Sequence, residues 1–336
     1  MKYIKEIIAN YPDDHILCQV YKNRKLLFAN SFLRGLNNAL ENVFCVCTTA
    51  YRDFANNKLR AADGVSFDFH SLIASMCELS IINTFIEKSE NKDTFKYEPK
   101  LRNDNNKNVE FSIIINKVKY NVEVKSPNLS NYYNELHTKI EKHGSVVRFD
   151  TRGFGKPEKE NQIGSTDPRV KDFLVDANNK FPNSNIPNEL NVLFICWDDN
   201  NDQPCIALKH PMHGLLTSRT WYKNGDEKPI LFPNIDIIFV SDLYQCIIAH
   251  MLSGDEPLPG LITGIPYFEN NARFLPYRIN PFNIAFARNV AIKPLIDIDE
   301  SMIFNLPIAF SDQYVQVVDE NYVARFGIDI KFSYKS

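Results

Sequence analysis

Residues 109–126 contain two runs rich in β-branched and aromatic residues, separated by the dipeptide Asn116-Lys117. A two-residue gap between such runs is typical of a tight β-hairpin and predicts strands over 109–115 and 118–126. Each step away from the loop then pairs one residue of the first strand with one residue of the second. Because strand side chains alternate between two faces, this register determines which residues share a face.

One face of the predicted hairpin is apolar, and the other carries charge. The apolar face consists of four pairs, Phe111 with Val122, Ile113 with Tyr120, Ile115 with Val118, and Val109 with Val124. We expect this face to pack on a core. The other face places Glu110 opposite Glu123, with Lys125 two residues further along. Opposed carboxylates repel, so a positive group is expected between them, either Lys125 or a divalent cation.

Two carboxylates and a lysine on one face are groups that serve metal-assisted hydrolysis. Hard cations such as Mg²⁺ bind carboxylate oxygens and keep several waters. A bound metal can activate water and stabilise charge on a phosphoryl oxygen. Lys125 could position or deprotonate the attacking water, or offset charge in the transition state. This face therefore predicts a site for Mg²⁺, with Mn²⁺ as a substitute.

Helical and strand-like patterns alternate in the rest of the chain. Apolar residues recur at mostly helical spacing over residues 1–60. Asp68 is a suitable N-cap for a helix that reaches about Glu87. The other elements predicted as far as residue 200 are a short strand over 94–100, a helix over about 129–142, a long loop to about 165, a helix over 167–181 and a buried strand over 190–197.

These patterns divide the chain into three predicted regions. Residues 1–60 form a helical N-terminal region, and residues 61–200 form an α/β core. Residues 201–336 form a mixed C-terminal region that holds most of the prolines. Its expected elements are short strands over 205–208, 235–240 and 328–333 and a helix over 241–252. This region is either a second lobe, serving target recognition or dimerisation, or an extension of the same sheet.

The arrangement around the hairpin resembles the PD-(D/E)xK nuclease superfamily, which has the restriction-endonuclease-like fold. In that superfamily an acid begins the second strand of a sheet, and Glu-x-Lys follows on the third strand. Glu110 stands where the acid, usually Asp, is expected, and Glu123-Val124-Lys125 matches Glu-x-Lys. Many members add a Glu on the helix before the sheet, which corresponds to Glu78. The predicted order over 68–197 (helix, three strands, helix, strand) also resembles the family core.

The resemblance implies an α/β protein with a restriction-endonuclease-like core, made of a helix, a three-stranded mixed sheet, a helix and a strand. It implies an Mg²⁺-dependent endonuclease of restriction or defence type that hydrolyses phosphodiester bonds of DNA. Glu110 and Glu123 are then metal ligands, Lys125 is the catalytic lysine and Glu78 is an accessory ligand. Cleavage of both strands would favour a homodimer. The sequence leaves the choice between DNA and RNA open.

Each of these residues also has a structural interpretation. Glu110, Glu123 and Lys125 could form the solvated face of an ordinary hairpin, and Glu78 could be an exposed helix residue. The departure from Asp at position 110 leaves open a nuclease-like fold that has lost catalysis and serves as a nucleic-acid-binding or assembly subunit. A third interpretation is a metal-free protein in which the hairpin pattern is coincidental.

The most basic stretch of the chain lies at about residues 139–159. Arg148, Arg152 and Lys156 in this stretch are candidates for contacts with nucleic-acid phosphates. Several glutamates are interleaved with them, so a solvated loop is an equally good interpretation. Gln162, just beyond the stretch, is a candidate accessory residue of the site.

Composition excludes several other classes of protein. The 38 Lys and Arg against 41 Asp and Glu argue against a partner held by bulk positive charge. A hydrophobic share of 44% is ordinary for a globular protein. We expect no membrane span, because no run of about 18 apolar residues occurs. The N-terminus lacks the pattern of a signal peptide. The seven scattered cysteines, without a CxxC pair, favour the reducing cytoplasm.

Overall fold

The computed structural model describes residues 1–25, 27–63, 66–102, 104, 106–149, 159–164, 167–183, 186–197, 204, 207–208, 214–216, 220–241, 243–252, 282–287 and 315–319. The chain divides into two compact units. The first unit consists of Met1–Ser126, Asp176–Cys196 and Pro233–Ile303, and the second of Pro127–Val175, Trp197–Phe232 and Phe304–Ser336.

Helices and strands alternate along the chain, so the fold class is mixed α/β, as predicted. The helices are α1 (Lys2–Ile8), α2 (Ile16–Lys22), α3 (Leu27–Val46), α4 (Thr48–Asp53), α5 (Phe69–Lys88), α6 (Ser130–His143), α7 (Asp167–Lys180) and α8 (Leu243–Leu252). The strands are β1 (Ala62–Asp63), β2 (Ser66–Phe67), β3 (Lys96–Tyr97), β4 (Phe111–Ile115), β5 (Val118–Lys125), β6 (Ser145–Phe149), β7 (Gln162–Gly164), β8 (Glu189–Cys196), β9 (Ile237–Ser241), β10 (Phe282–Ala287) and β11 (Val315–Asp319). A single π-helical turn, Phe54–Lys58, continues α4.

The N-terminal region is helical, as the apolar spacing predicts. In α3 the apolar positions recur at intervals of three and four, and these side chains are buried: Phe32, Leu33, Leu36, Leu40 and Val43. Such spacing collects the apolar side chains on one stripe of the helix, which then packs against the core. α3 makes extensive contact with α5, the next long helix.

The long helix α5 is buried on nearly every side. It begins where the sequence predicts, since the Asp68 carboxylate accepts a hydrogen bond from the His70 backbone N–H at 3.0 Å. Of the helices that the structure describes, this one alone is long and apolar enough to span a membrane, with a mean hydropathy of 1.3. However, 72% of that apolar window is buried inside the protein, which is typical of the core helix of a soluble protein.

A six-stranded mixed sheet forms the centre of the first unit, in the order β10-β9-β8-β5-β4-β3. β3, β4 and β5 are antiparallel, whereas β5, β8 and β9 run parallel to one another. β10 pairs with β9 in the antiparallel direction. β9 and β10 come from the predicted C-terminal region, so this part of the chain extends the sheet of the core.

The predicted hairpin register is confirmed. β4 and β5 pair Phe111 with Val122 and Ile115 with Val118. The loop residues Asn116 and Lys117 have φ angles of 50° and 67°. A two-residue type I′ turn requires this left-handed conformation at both positions, and its twist matches that of the flanking strands.

The apolar face of the hairpin packs against α5. The Phe85 ring lies 5.2 Å from the Phe111 ring, 5.8 Å from the Tyr120 ring and 6.1 Å from the Phe194 ring, measured between centroids. Residues 120–124 of β5 are all buried, although alternate ones point to opposite faces. Both faces of this central strand are therefore covered by protein.

Most predicted elements are confirmed, but three differ. The strand predicted over 94–100 shrinks to the two residues of β3, because a 3₁₀ turn at Lys92–Thr94 precedes it. Part of the predicted long loop forms β6, which pairs with β7 and with the distant β11 in a three-stranded sheet of the second unit. Ala207 and Leu208 are helical rather than extended. Local periodicity does not distinguish short buried runs of this kind. The strand predicted over 328–333 lies outside the described residues.

The left-handed loop predicts the effect of Lys117→Gly. This conformation costs a non-glycine residue roughly 1–2 kcal/mol, whereas the extra freedom of glycine in the unfolded chain costs roughly 0.5–1 kcal/mol. We therefore expect Lys117→Gly to raise the free energy of unfolding by about 0.5–1 kcal/mol, measured by urea denaturation. Lys119→Gly, within the strand, is the matched control and is expected to destabilise the protein. A destabilised Lys117→Gly variant would contradict the turn geometry.

Candidate active site

The four acidic and basic residues singled out as a site come from three segments of the first unit. Glu78 lies on α5, Glu110 directly precedes β4, and Glu123 and Lys125 lie on β5. Continuing the hairpin register one step beyond the pair Phe111–Val122 places Glu110 opposite Glu123. The carboxylates of Glu110 and Glu78 are close enough to hydrogen-bond, and the charge of Glu110 also acts on Glu123. The structure therefore brings these residues together.

The Glu123 carboxylate is completely buried, with 0% of its side chain exposed. Its Oε1 atom accepts hydrogen bonds from Lys125 Nζ at 2.7 Å and from Lys180 Nζ at 2.5 Å. Its Oε2 atom is also buried and has no hydrogen-bond partner among the residues that the structure describes. Burial raises the pKa of Glu123, and Glu110 raises it further, although both lysines lower it. The interpretation of this face as solvated is therefore wrong for Glu123.

Asp176, near the end of α7, links the lysines into a network. Its carboxylate lies 2.8 Å from Lys125 Nζ, 3.6 Å from Lys180 Nζ and 2.7 Å from Lys107 Nζ. Partial burial raises the pKa of Asp176, but hydrogen bonds from Lys107 and Lys125 more than compensate and leave it well below its usual value. Burial lowers the pKa of Lys125, but Glu123 and Asp176 raise it above the ordinary value. Asp176 is therefore ionised, and Lys125 carries a positive charge.

A lysine that the sequence did not predict, Lys58, lies on the acidic side of the site. Its Nζ atom is 2.6 Å from Glu78 Oε1 and 3.5 Å from Glu110 Oε2. Glu98 and Asp53 lie further away, at 3.6 Å and 4.0 Å. Lys58 ends the π-helical turn after α4. Such turns are frequent at functional sites, because one extra residue redirects the side chains of a helix.

Glu78 is a buried carboxylate rather than an exposed helix residue, so its structural interpretation is wrong. Only 11% of its side chain is exposed. Burial, and then the neighbouring Glu110, raise the pKa of Glu78 well above the usual value, while Lys58 lowers it. Burial lowers the pKa of Lys58, but the charges of Glu78 and Glu110 raise it above the ordinary value. The Lys58 ammonium and the carboxylates of Glu78 and Glu110 therefore compensate each other's charge at positions where they are largely removed from water.

Six residues of this network are absent from the predicted site: Asp53, Lys58, Glu98, Lys107, Asp176 and Lys180. Lys58 lies 20 residues from its partner Glu78, and Lys180 lies 57 residues from Glu123. No local pattern connects residues at such separations. The sequence does offer one signal that these two residues of α7 act together. Asp176 and Lys180 are four positions apart, so they lie on one side of the helix, beside the buried Ala177.

The other predicted residues lie in the second unit or outside the described residues. Arg148 lies on β6 of the second unit, where its backbone pairs with that of Gln316, and its side chain is not described. Arg152 and Lys156 lie outside the described residues. Gln162 lies on β7, and its Oε1 atom accepts a hydrogen bond from the Lys159 backbone N–H at 3.1 Å. This contact closes a turn within the second unit.

The acidic residues fit a hard divalent cation in their donor chemistry. Glu78, Glu110 and Glu123 offer only carboxylate oxygens, which Mg²⁺ prefers. The Oε2 atom of Glu123, which has no partner in the described segments, costs free energy where it is buried, and a cation at this oxygen would satisfy it. Within the described part of the chain, no three His, Cys, Asp or Glu side chains are grouped closely enough to hold a metal as they stand. Lys58 instead contacts two of these carboxylates.

Comparisons of the chain with protein-family models, with curated proteins and with solved structures find no match. Functional inference therefore depends on the site itself. The charge of Glu110 acts on both Glu78 and Glu123, and two lysines hold one oxygen of Glu123. This juxtaposition suits the simultaneous binding of a cation and an anion.

The shared oxygen of Glu123 predicts non-additive effects of the two lysines. We expect Lys125→Met and Lys180→Met each to lower the free energy of unfolding by about 1 kcal/mol, because the other lysine still holds Oε1. The double variant should lose about 3–5 kcal/mol, since a buried carboxylate is left without a cation. Urea denaturation in the presence of EDTA measures all three.

A third substitution provides the control for this prediction. Adding Glu123→Gln to the double variant removes the uncompensated charge and is expected to restore part of the lost stability. If the costs of the two single substitutions simply add in the double variant, the lysines do not act through a common carboxylate.

Proposed function

We propose that the protein is a divalent-metal-dependent endonuclease that hydrolyses phosphodiester bonds of DNA, with Mg²⁺ as its cation and Mn²⁺ as a substitute. One observation carries the proposal. Glu123 is completely buried with one oxygen held by two lysines, while its other oxygen is unpaired within the described part of the chain and the charge of Glu110 acts on it. A cation bound at Oε2 would compensate this buried carboxylate, which supports a metal-binding role for it.

The residues of the site divide into two roles. Glu110 and Glu123 would hold the cation, with Glu78 as an accessory ligand. When bound, a divalent cation supplies Lewis-acid stabilisation of phosphoryl charge and favours deprotonation of bound water. Lys125 would offset charge that develops on the phosphoryl group, because Glu123 and Asp176 keep its ammonium protonated and oriented.

Lys180 and Asp176 would act as positioning residues. Lys180 holds the Oε1 atom of Glu123 together with Lys125, which leaves Oε2 for the cation. Asp176 accepts from Lys125 at 2.8 Å, and it therefore restrains the ammonium that would face the substrate. Because these groups are oriented before substrate binds, they need little reorganisation during the reaction.

The topology supports membership of the PD-(D/E)xK superfamily as part of this proposal. The chain order α5, β3, β4, β5, then helices, then β8 follows the order on which the resemblance depends. Glu110 comes just before the second strand of this series, and Glu123-Val124-Lys125 ends the third. β8 pairs in parallel with β5, so a crossover segment containing helices must connect them.

The remaining parts of the proposal concern partners and location. Arg148, Arg152 and Lys156 would contact phosphates of the nucleic acid, and a homodimer would allow cleavage of both strands. A cytoplasmic location suits the buried free thiols of Cys18 and Cys196. Because the chain as a whole is slightly acidic, contacts with DNA would come from the local basic surface near 139–159, and binding should weaken readily as salt displaces those phosphate contacts.

A second candidate is a nuclease-like subunit that binds nucleic acid without cleaving it. The observation in its favour is that Lys58 already compensates Glu78 and Glu110 at 2.6 Å and 3.5 Å. A site in which this lysine permanently replaced the cation would retain its fold and lose hydrolysis. Glu110 in place of the usual Asp is compatible with this alternative.

A plasmid-nicking assay tests the first candidate. Wild-type protein should nick supercoiled DNA with Mg²⁺ or Mn²⁺, and EDTA should abolish the reaction. We expect Lys125→Ala and Glu123→Gln each to reduce the nicking rate by at least about 100-fold, since each removes charge stabilisation in a desolvated site.

Lys119→Ala is the matched control for the nicking assay. Lys119 lies on the same strand and face as Lys125 and pairs with Glu189 at 2.9 Å, outside the proposed site. Its variant should nick DNA at the wild-type rate. Equal nicking by wild type and by Lys125→Ala would rule out this site, whereas DNA binding in a mobility-shift assay without metal-dependent nicking would favour the second candidate.

A further inference from the structure

Lys58 lies among four carboxylates from four separate segments of the first unit. Its Nζ atom is within 4.0 Å of all of them: Glu78 at 2.6 Å, Glu110 at 3.5 Å, Glu98 at 3.6 Å and Asp53 at 4.0 Å. The ammonium is within hydrogen-bond distance of Glu78 and acts on the others at longer range. One monovalent cation thus faces up to four negative charges.

Aromatic rings hold this ammonium in place. The rings of Phe54 and Tyr97 each lie 5.3 Å from Lys58 Nζ, within the range of a cation–π interaction. The Tyr97 hydroxyl donates a hydrogen bond to Asp53 at 2.6 Å, which connects the ring to the same group of acids. Only 21% of the Lys58 side chain is exposed. Lys58 is therefore built into the site rather than lying loosely on the surface.

The position of Lys58 conflicts with the binding of a divalent cation to the same acids. Glu78 Oε1 is engaged by the ammonium at 2.6 Å, and Glu110 Oε2 faces the same ammonium. Mg²⁺ binds carboxylate oxygens directly at about 2.0–2.1 Å, so it would compete with the ammonium for the oxygens that Lys58 contacts. Two positive groups that share these oxygens at close range also repel each other.

We propose that Lys58 is a tethered competitor of the divalent cation, which occupies the oxygens of Glu78 and Glu110 in the metal-free protein and leaves them when metal binds. The inference rests on the proposed function, because it takes Glu78 and Glu110 as metal ligands. Lys58 compensates the buried acids in the absence of metal. Only the protein molecules in which Lys58 has left these oxygens can bind metal there, so the apparent affinity falls as the occupancy by Lys58 rises. Occupancy of nine-tenths would weaken the apparent affinity about tenfold.

Substitution of Lys58 by Met tests the inference through metal binding alone. Methionine keeps an unbranched apolar side chain between the rings of Phe54 and Tyr97 but removes the charge. We expect Lys58→Met to bind Mn²⁺ about tenfold more tightly than wild type, measured by electron paramagnetic resonance of free Mn²⁺. Its melting temperature should be lower than that of wild type in EDTA and should rise more on addition of Mn²⁺. Unchanged or weaker Mn²⁺ binding by Lys58→Met would overturn the inference.

Two further variants separate competition from general effects of charge. Lys58→Arg keeps the positive charge and should keep the weak Mn²⁺ affinity of wild type. Lys119→Met removes a lysine from the pair with Glu189 and should leave Mn²⁺ affinity unchanged. A tenfold gain in Lys119→Met as well would mean that any loss of positive charge produces the effect, which would overturn the specific role of Lys58.

A measurement on the wild-type protein keeps the inference testable if Lys58→Met fails to fold. Acetylation of Lys58 by an amine-reactive reagent, followed by mass spectrometry, should increase when Mn²⁺ is added and return to its starting value with EDTA. Constant acetylation at a Mn²⁺ concentration that raises the melting temperature would overturn the inference.

The outcomes also distinguish this inference from the nuclease proposal. Tighter Mn²⁺ binding by Lys58→Met in a protein that never nicks DNA would support competition and reject the nuclease. Metal-dependent nicking by wild type together with unchanged Mn²⁺ affinity in Lys58→Met would support the nuclease and reject competition.

Discussion

Burial of the Glu123 carboxylate on the central strand β5 is the constraint on which the site depends. Both faces of this strand are covered, so the charge has no access to water. An ionised carboxylate in such a position costs several kcal/mol unless cations or hydrogen bonds compensate it. Lys125 and Lys180 supply that compensation at one oxygen, and Asp176 in turn compensates the lysines. A group of charged residues from β5 and α7 thereby becomes a single cooperative network.

Charge in the site is segregated rather than evenly paired. Lysines gather around Asp176 and one oxygen of Glu123, while carboxylates gather around Lys58. Glu110 lies between these groups and acts on both Glu78 and Glu123. Under the proposed function, the acidic group would hold the added cation, and the lysines beside Glu123 would face the anionic phosphodiester. Lys58 offsets part of the repulsion in the acidic group, since its ammonium lies within 4.0 Å of four carboxylates.

Local sequence patterns were sufficient for much of the framework. The type I′ loop at Asn116-Lys117 determines the register of the hairpin, and that register places Glu110 opposite Glu123. Asp68 marks the start of α5 through a hydrogen bond that spans only two residues. Such features depend on neighbours within a few positions, so the sequence alone is enough to recognise them. The failures, at 94–100, 145–149 and 207–208, occurred where short segments take their conformation from distant partners.

The sequence by itself determined the mixed α/β class, the hairpin and the side-chain set Glu78, Glu110, Glu123 and Lys125. Only the tertiary structure decided that Glu78 and Glu123 are buried, and that Lys58 and Lys180 are their partners. The physical reason is that turns, caps and strand alternation act over a few residues, whereas desolvation and ion pairing depend on which distant segments meet. Lys58 is 20 residues from Glu78, and Lys180 is 57 residues from Glu123. Their effect on the carboxylates exists only once α5, α7 and the sheet are assembled.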